Sequence, residues 1–302
     1  MDESQKKSAE LKSACPMDDS SAAAFCYAKA SGILRKSFVG ENANKLFEAK
    51  SLKELYTLLF GGEIPAVPEV LLAKEIEKKA AERFENTARE LFGYFEKPAP
   101  ILSAIFDYYE YENSGENNNE KDREEIMNLW NAAGKLHFSD RSSLEKLFKT
   151  IISLRNIIWA MRLRVYYNFT KEETAGHLIY AGEKPSEKDI MAREAWEILD
   201  KDPSNYDDWR KWKYAGALNP HEEGVVWELD PSWVERSVKL YLNNFYQRAF
   251  HKNPMSVTSF VAWFRIKQTE LDYIRTAAEG LRLSAGSDEI KKAAGFDPTA
   301  KA

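Results

Sequence analysis

One phrase recurs three times along this chain: a long amphipathic helix, a short capped helix, then a glycine. The short helices are expected to open at Ser51 (Ser51-Leu-Lys-Glu54), Thr170 (Thr170-Lys-Glu-Glu173) and Ser287 (Ser287-Asp-Glu289-Ile290), 119 and 117 residues apart. They are expected to stop at Gly61-Gly62, Gly182 and Gly295. At the first two openings a hydroxyl can accept from the N3 amide while Glu54 or Glu173 reaches back to the cap. At the third, the acids follow the serine by one and two places, which makes a weaker cap. Near-equal spacing points to a three-fold pseudo-repeat, and repeats more often build a shaped scaffold than one catalytic pocket.

The rest of the sequence is consistent with an all-α fold. Asp18-Asp19-Ser20-Ser21 supplies cap chemistry for a helix towards Val39, with Ala23, Tyr27, Ala30, Leu34 and Phe38 on one stripe. A charged helix spans about Glu69 to Tyr94, and an aromatic-rich one Ile101 to Tyr111, before a loop from Glu112 to Lys121 around Asn117-Asn118-Asn119. Ser142-Ser-Leu-Glu145 reads as a capping box for a helix to about Asn168, and helical signals resume over Ser186 to Asp200. An irregular aromatic stretch carries Trp209 and Trp212. Asp230-Pro231 and Asn253-Pro254 each place a cap before an N1 proline, opening the last two long helices. Period-2 alternation is nearly absent.

Composition narrows the function classes. A 44% hydrophobic and 30% charged chain is globular, and a net charge of −5 argues against non-specific nucleic-acid binding. Two cysteines, Cys15 and Cys26, make neither a disulfide framework nor a four-ligand zinc site. The N-terminus lacks an apolar signal region, and no stretch approaches the roughly 18 apolar residues of a membrane span. A cytoplasmic protein is expected, with any membrane contact made through a partner.

Catalytic constellations are hard to find. His137, His177, His221 and His251 are scattered, with no His-Glu-x-x-His spacing, phosphate-cradling glycine loop or nucleophile elbow. An isoprenoid-type synthase would need aspartate-rich helices, and the pairs Asp18-Asp19 and Asp207-Asp208 lack a third aspartate. Asn168-Phe-Thr170 matches a glycosylation sequon, but Thr170 is better explained as a cap. No catalytic residue, cofactor or metal site is therefore expected.

Two charge patterns invite partner readings. On the last long helix, Lys267 interrupts the stripe Phe260, Phe264, Leu271, Ile274, and Glu270 interrupts its neighbour Trp263, Ile266, Tyr273. The plainer reading is a structural pair, because a lone buried charge costs several kcal/mol. The other is that one of them faces a partner. On the middle helix, Arg155 and Arg162 flank Trp159 on one face. Either they are snorkelling arginines, or they form a basic strip meeting acidic groups of another subunit.

Four segments, 25–35, 106–113, 154–162 and 267–275, carry a likeness when read together: they resemble the rotor-connecting subunit (C or d) of V-type and A-type rotary ATPases. Phe25-Cys-Tyr-Ala-Lys-Ala-Ser-Gly-Ile-Leu-Arg35 is similar to that family's opening helix, and Phe106-Asp-Tyr-Tyr-Glu-Tyr-Glu-Asn113 to its aromatic segment. Leu154-Arg-Asn-Ile-Ile-Trp-Ala-Met-Arg162 resembles its Asn-Ile…Arg helix, and Lys267-Gln-Thr-Glu270-Leu-Asp-Tyr-Ile-Arg275 its Lys-Glu-x-Glu-Ile-x-x-Leu-Arg signature. There are two departures. Ser153 stands where an acid usually precedes the Leu-Arg-Asn segment, and Gln268 replaces the first signature glutamate.

The polar composition before about Ser20 predicts a tail over 1–20, and the resemblance implies three pseudo-equivalent modules over about 21–120, 121–230 and 231–302, set around a central axis as a funnel. It also implies a non-catalytic subunit coupling the central stalk to the membrane rotor ring. Arg155, Trp159, Arg162, Lys267, Glu270 and Arg275 are the interface candidates. A free-standing α-helical adaptor would show a period of about 34–47 residues, and none is visible. An all-α enzyme would need a clustered acidic or histidine site.

Overall fold

A computed structural model describes residues 17–115, 119–222 and 224–296, and the chain is all-α. Among the described residues, extended pairing is limited to one isolated parallel bridge between Met17 and Phe95. Cys15, Asn117 and Asn118 lie outside the described residues. The chain forms two compact units. The first joins described residues up to Leu102 with those from Asn243 onwards, and the second runs from Ser103 to Leu242. The first and third copies of the repeated phrase therefore fall in unit 1 and the middle copy in unit 2.

Unit 1 is built on two long helices, α4 (Glu69–Phe92) and α12 (Val257–Arg282). Phe84 meets Phe264 edge-on with centroids 4.8 Å apart, and Phe92 packs edge-on against Trp263 at 6.4 Å. Trp263 and Phe264 are wholly buried, and side chains of this size contribute roughly 2–3 kcal/mol each by leaving water. Helix α1 (Asp19–Lys36) buries only small residues, Ala22, Cys26 and Ala30, which allows a close approach to its neighbours. The Cys26 thiol donates to the Leu91 carbonyl at 3.1 Å, and burial pushes it up to about 11. Short α2 (Asn44–Phe47) and α3 (Leu52–Phe60) complete this part of the unit.

Helix α5 (Pro100–Asn113) leads into unit 2, where α6 (Asn119–Gly134) and the 29-residue α7 (Phe138–Tyr166) follow. Helices α8 (Lys171–Gly176) and α9 (Arg193–Leu199) pack on α7 around Leu154, Ile157, Met161, Ala195 and Ile198. Tryptophans organise the irregular stretch around α10 (Tyr206–Trp209). Trp209 Nε1 donates to the Asp202 carbonyl at 2.7 Å and Trp227 Nε1 to that of Asn219 at 3.2 Å. Each indole thus buries its apolar body while its one donor satisfies a loop carbonyl. Helix α11 (Pro231–Lys252) returns the chain to unit 1, with Asp230 Oδ1 accepting from the Ser232 amide as the sequence led one to expect.

The three short helices differ in detail. At α3, Ser51 accepts from the Glu54 amide, but the Glu54 carboxylate takes the Lys50 amide rather than that of Ser51. At α8 the capping box of Thr170 and Glu173 is complete. The third, α13 (Ser287–Ala293), begins at Ser287 itself, with Gly286 as N-cap and Glu289 accepting from the Gly286 amide at 3.0 Å. The register is one residue earlier than expected, which puts Glu289 at N3. Helix α8 ends at Gly176, not Gly182. Helix α13 ends as expected, with Gly295 at φ 65°, Phe296 N donating to Lys291 O and Gly295 N to Lys292 O. That pattern satisfies two orphan carbonyls with a left-handed residue that glycine adopts freely.

Three further expectations are corrected. Ser142 is no cap, since α7 starts a turn earlier at Phe138 and Glu145 pairs with Arg141 at 2.7 Å. The stretch 186–192 is not helical because the Asp189 carboxylate accepts from the amides of Ala181, Gly182 and Met191, which fixes a loop. Asn253-Pro254 does not open α12. Met255 takes φ 59°, which breaks the path, and Ser256 then caps the helix through the Ser259 amide.

The third short helix is anchored at one point. A Cβ built on Gly280 of α12 would lie 2.5 Å from Ile290 Cγ1, and Ile290 is the one buried residue of α13. Gly280→Ala is expected to destabilise the chain by about 1–2 kcal/mol, overpacking outweighing the better helix propensity of alanine. Ile290→Ala should lose its own packing but remove most of the Gly280→Ala penalty in the double variant. A denaturation cycle with additive effects would contradict this contact.

Candidate partner-binding site

The structure places the six interface candidates in two groups. In unit 1, Lys267 and Glu270 lie on α12 facing the C-terminal end of α1. Ser37 ends that helix, its amide donating to Leu34 O and its hydroxyl to Ile33 O at 3.1 Å. Lys267 Nζ donates to Ser37 Oγ at 2.9 Å, and Glu270 Oε1 accepts from the Phe38 amide at 2.7 Å. The other Glu270 oxygen is ion-paired with Lys267. The side chains are 14% and 8% exposed, so both charges have little water and each depends on the other. The pair ties α12 to the end of α1.

Arg275, two turns along from Lys267, lies 3.7 Å from Asp272. It also faces Glu77 of α4, whose carboxyl sits above its ordinary value because burial outweighs the attraction of Arg275.

Beside the Lys267–Glu270 pair a cavity of about 350 Å³ opens between α1, α3, α4 and α12. Its walls are mainly Leu58, Leu59, Phe60, Phe84, Leu271 and Ile274. Lys36 and Arg83 also line it, and both are exposed. Arg83 Nη1 donates to the Leu59 carbonyl at 3.0 Å, satisfying an orphan acceptor in the last turn of α3. Sequence reading did not find this site, because its walls come from segments separated by up to about 240 residues.

In unit 2, α7 carries Arg155, Trp159 and Arg162. Arg155 donates to the Tyr108 hydroxyl at 2.6 Å and is paired with Asp122. Arg162 is paired with Glu235 of α11, which also lies 3.4 Å from Lys239. Trp159 between them is half-buried. Both guanidiniums therefore already hold acids of this chain, through pairs that are partly exposed and contribute no more than about 1 kcal/mol apiece. The motif's Asn156 points the other way. It is buried, and its amide donates to Ile179 O at 2.8 Å and Met191 O at 3.1 Å while accepting from Ile179 N at 2.9 Å.

Among the described residues no group of three or more His, Cys, Asp or Glu could hold a metal ion. Among them also, no helix is long and apolar enough to cross a membrane.

Residues 118–293, more than half of the chain, match the family model of the ATP synthase (C/AC39) subunit. The chain belongs to this family. The C/AC39 match spans the Arg155–Arg162 face, the Lys267–Glu270 pair and Arg275, and it begins beyond α1 to α5. Family membership makes the chain a subunit of a V/A-type ATPase complex. The C/AC39 chain is also similar to a Treponema pallidum (strain Nichols) protein described as uncharacterized. The two are 20% identical over 317 positions, covering 84% of this chain and 91% of the relative. No solved structure matches the chain.

Proposed function

We propose that this chain is the non-catalytic subunit that couples the central stalk of a V/A-type rotary ATPase to its membrane rotor ring. The observation that carries the reading is the C/AC39 family match, which covers the middle copy of the repeated phrase and both helices of the last. Supporting it, the charges on helix faces are spent on tying helices together rather than on an acid–base constellation. A torque-transmitting part needs such cross-links more than it needs a pocket. The subunit lies at the cytoplasmic side of the membrane and reaches it through the ring. The three-module funnel gripping the stalk end belongs to this proposal, as does an interface including Arg155, Trp159, Arg162, Lys267, Glu270 and Arg275.

Co-expression with the stalk and ring subunits of the same complex tests it. The chain should co-purify with one or both. Charge reversal at Arg162 should weaken that recovery more than reversal at Glu116, at equal levels of folded protein. Absence from the complex while its other subunits assemble would overturn the proposal.

A further inference from the structure

The unit 1 cavity combines an apolar interior with a cationic rim. Its interior charges are used up, because Lys267, Glu270 and Ser37 bind one another and the Phe38 amide. What remains inside is hydrocarbon from Leu58, Phe60, Leu271 and Ile274. At the rim, neither Lys36 nor Arg83 has an ion-pair partner among the described residues, and Arg83 donates one N–H to the Leu59 carbonyl. Beyond Gly61-Gly62, the segment joining α3 to α4 leaves Ile64 and Val67 at least about a third exposed, and the first turn of α4 does the same for Val70 and Leu71. Small-ligand sites of roughly 300–1,000 Å³ usually converge several free polar groups on their occupant, and this interior offers none.

We infer that the cavity is a docking site for a protein segment that sets a large apolar side chain beside an aspartate or glutamate. The apolar group fills the cavity and the carboxylate meets Lys36 and Arg83. Charge complementarity of this kind fixes register and rejects basic segments. The inference rests on the proposed function only for the partner's identity, which would be another subunit of the rotary complex.

The test uses the full chain and a fluorescein-labelled peptide, Glu-Leu-Glu-Phe-Leu-Glu, against its counterpart with lysine at each glutamate. Fluorescence anisotropy should show the acidic peptide binding at least about tenfold more tightly. The double variant Lys36→Glu, Arg83→Glu should reverse that preference, whereas Lys78→Glu, outside the cavity, should leave it intact. Leu58→Asp should abolish binding of the acidic peptide while the helical circular dichroism is unchanged. Equal binding of both peptides, no binding, indifference to the rim reversal, or binding of dodecanoate alone would each overturn the inference. Co-purification of wild-type chain with the stalk or ring, measured in parallel, separates the two claims. Peptide failure with intact co-purification sinks only the docking site, and the converse sinks only the proposed function.

Discussion

Replacing Glu270 with alanine is expected to destabilise the chain by about 3–5 kcal/mol, the cost of leaving a charge uncompensated away from water. Alanine would strand Lys267, whose side chain is 14% exposed, and deprive the Phe38 amide of its acceptor. Glu270→Gln should fall between alanine and wild type, because its carbonyl can still accept from Phe38 but cannot balance the ammonium. Urea denaturation reads both as a lowered midpoint at unchanged slope. A loss below about 1 kcal/mol for alanine would mean that the pair is not the tie between α1 and α12. Replacing both partners together, Lys267→Met with Glu270→Leu, should cost much less, since neither leaves an orphan charge. That double variant also separates the two readings of the pair. Normal assembly would make it purely structural, and a folded protein that fails to assemble would place it at a partner.

Asn156→Ala is the second large effect, about 2–4 kcal/mol, centred on unit 2. Three hydrogen bonds are lost from a residue that is 1% exposed, and the orphaned Ile179 amide and the carbonyls of Ile179 and Met191 would have no ready water. Asn156→Asp should be at least as damaging, because a carboxylate oxygen would replace the amide that faces two carbonyls. Amide hydrogen exchange at Ile179, in the loop after α8, should accelerate in both variants relative to the amides of α7. Unchanged protection at Ile179 would contradict this role.

How much of this was legible in the sequence follows the range of each interaction. Caps at Asp18, Ser51, Thr170 and Asp230 were readable because donor and acceptor lie within four residues. Lys267 and Glu270 were readable as a pair for the same reason, one turn apart on α12. Their grip on Ser37 and Phe38 was not, being some 230 residues away in sequence. Arg155 and Arg162 stood out on the middle helix, yet Asp122 and Glu235, which hold them, carry no local signature. Asn156 could be recognised as part of a motif without its task, since the loop it clasps is fixed by packing. The errors are instructive in the same way. Ser142 and Asn253-Pro254 have the right local chemistry for caps, but α7 extends past one and the Met255 turn moves the other. The cavity, assembled from four helices, had no single stretch to announce it.

The most direct test of the coupling role compares rotary complexes reconstituted in vesicles with and without this chain, measuring ATP hydrolysis and ion transport together. With the chain present, hydrolysis should drive ion movement. Without it, the catalytic head should still hydrolyse ATP while transport falls to background. Ion transport that proceeds unchanged in complexes lacking the chain would contradict a coupling role outright.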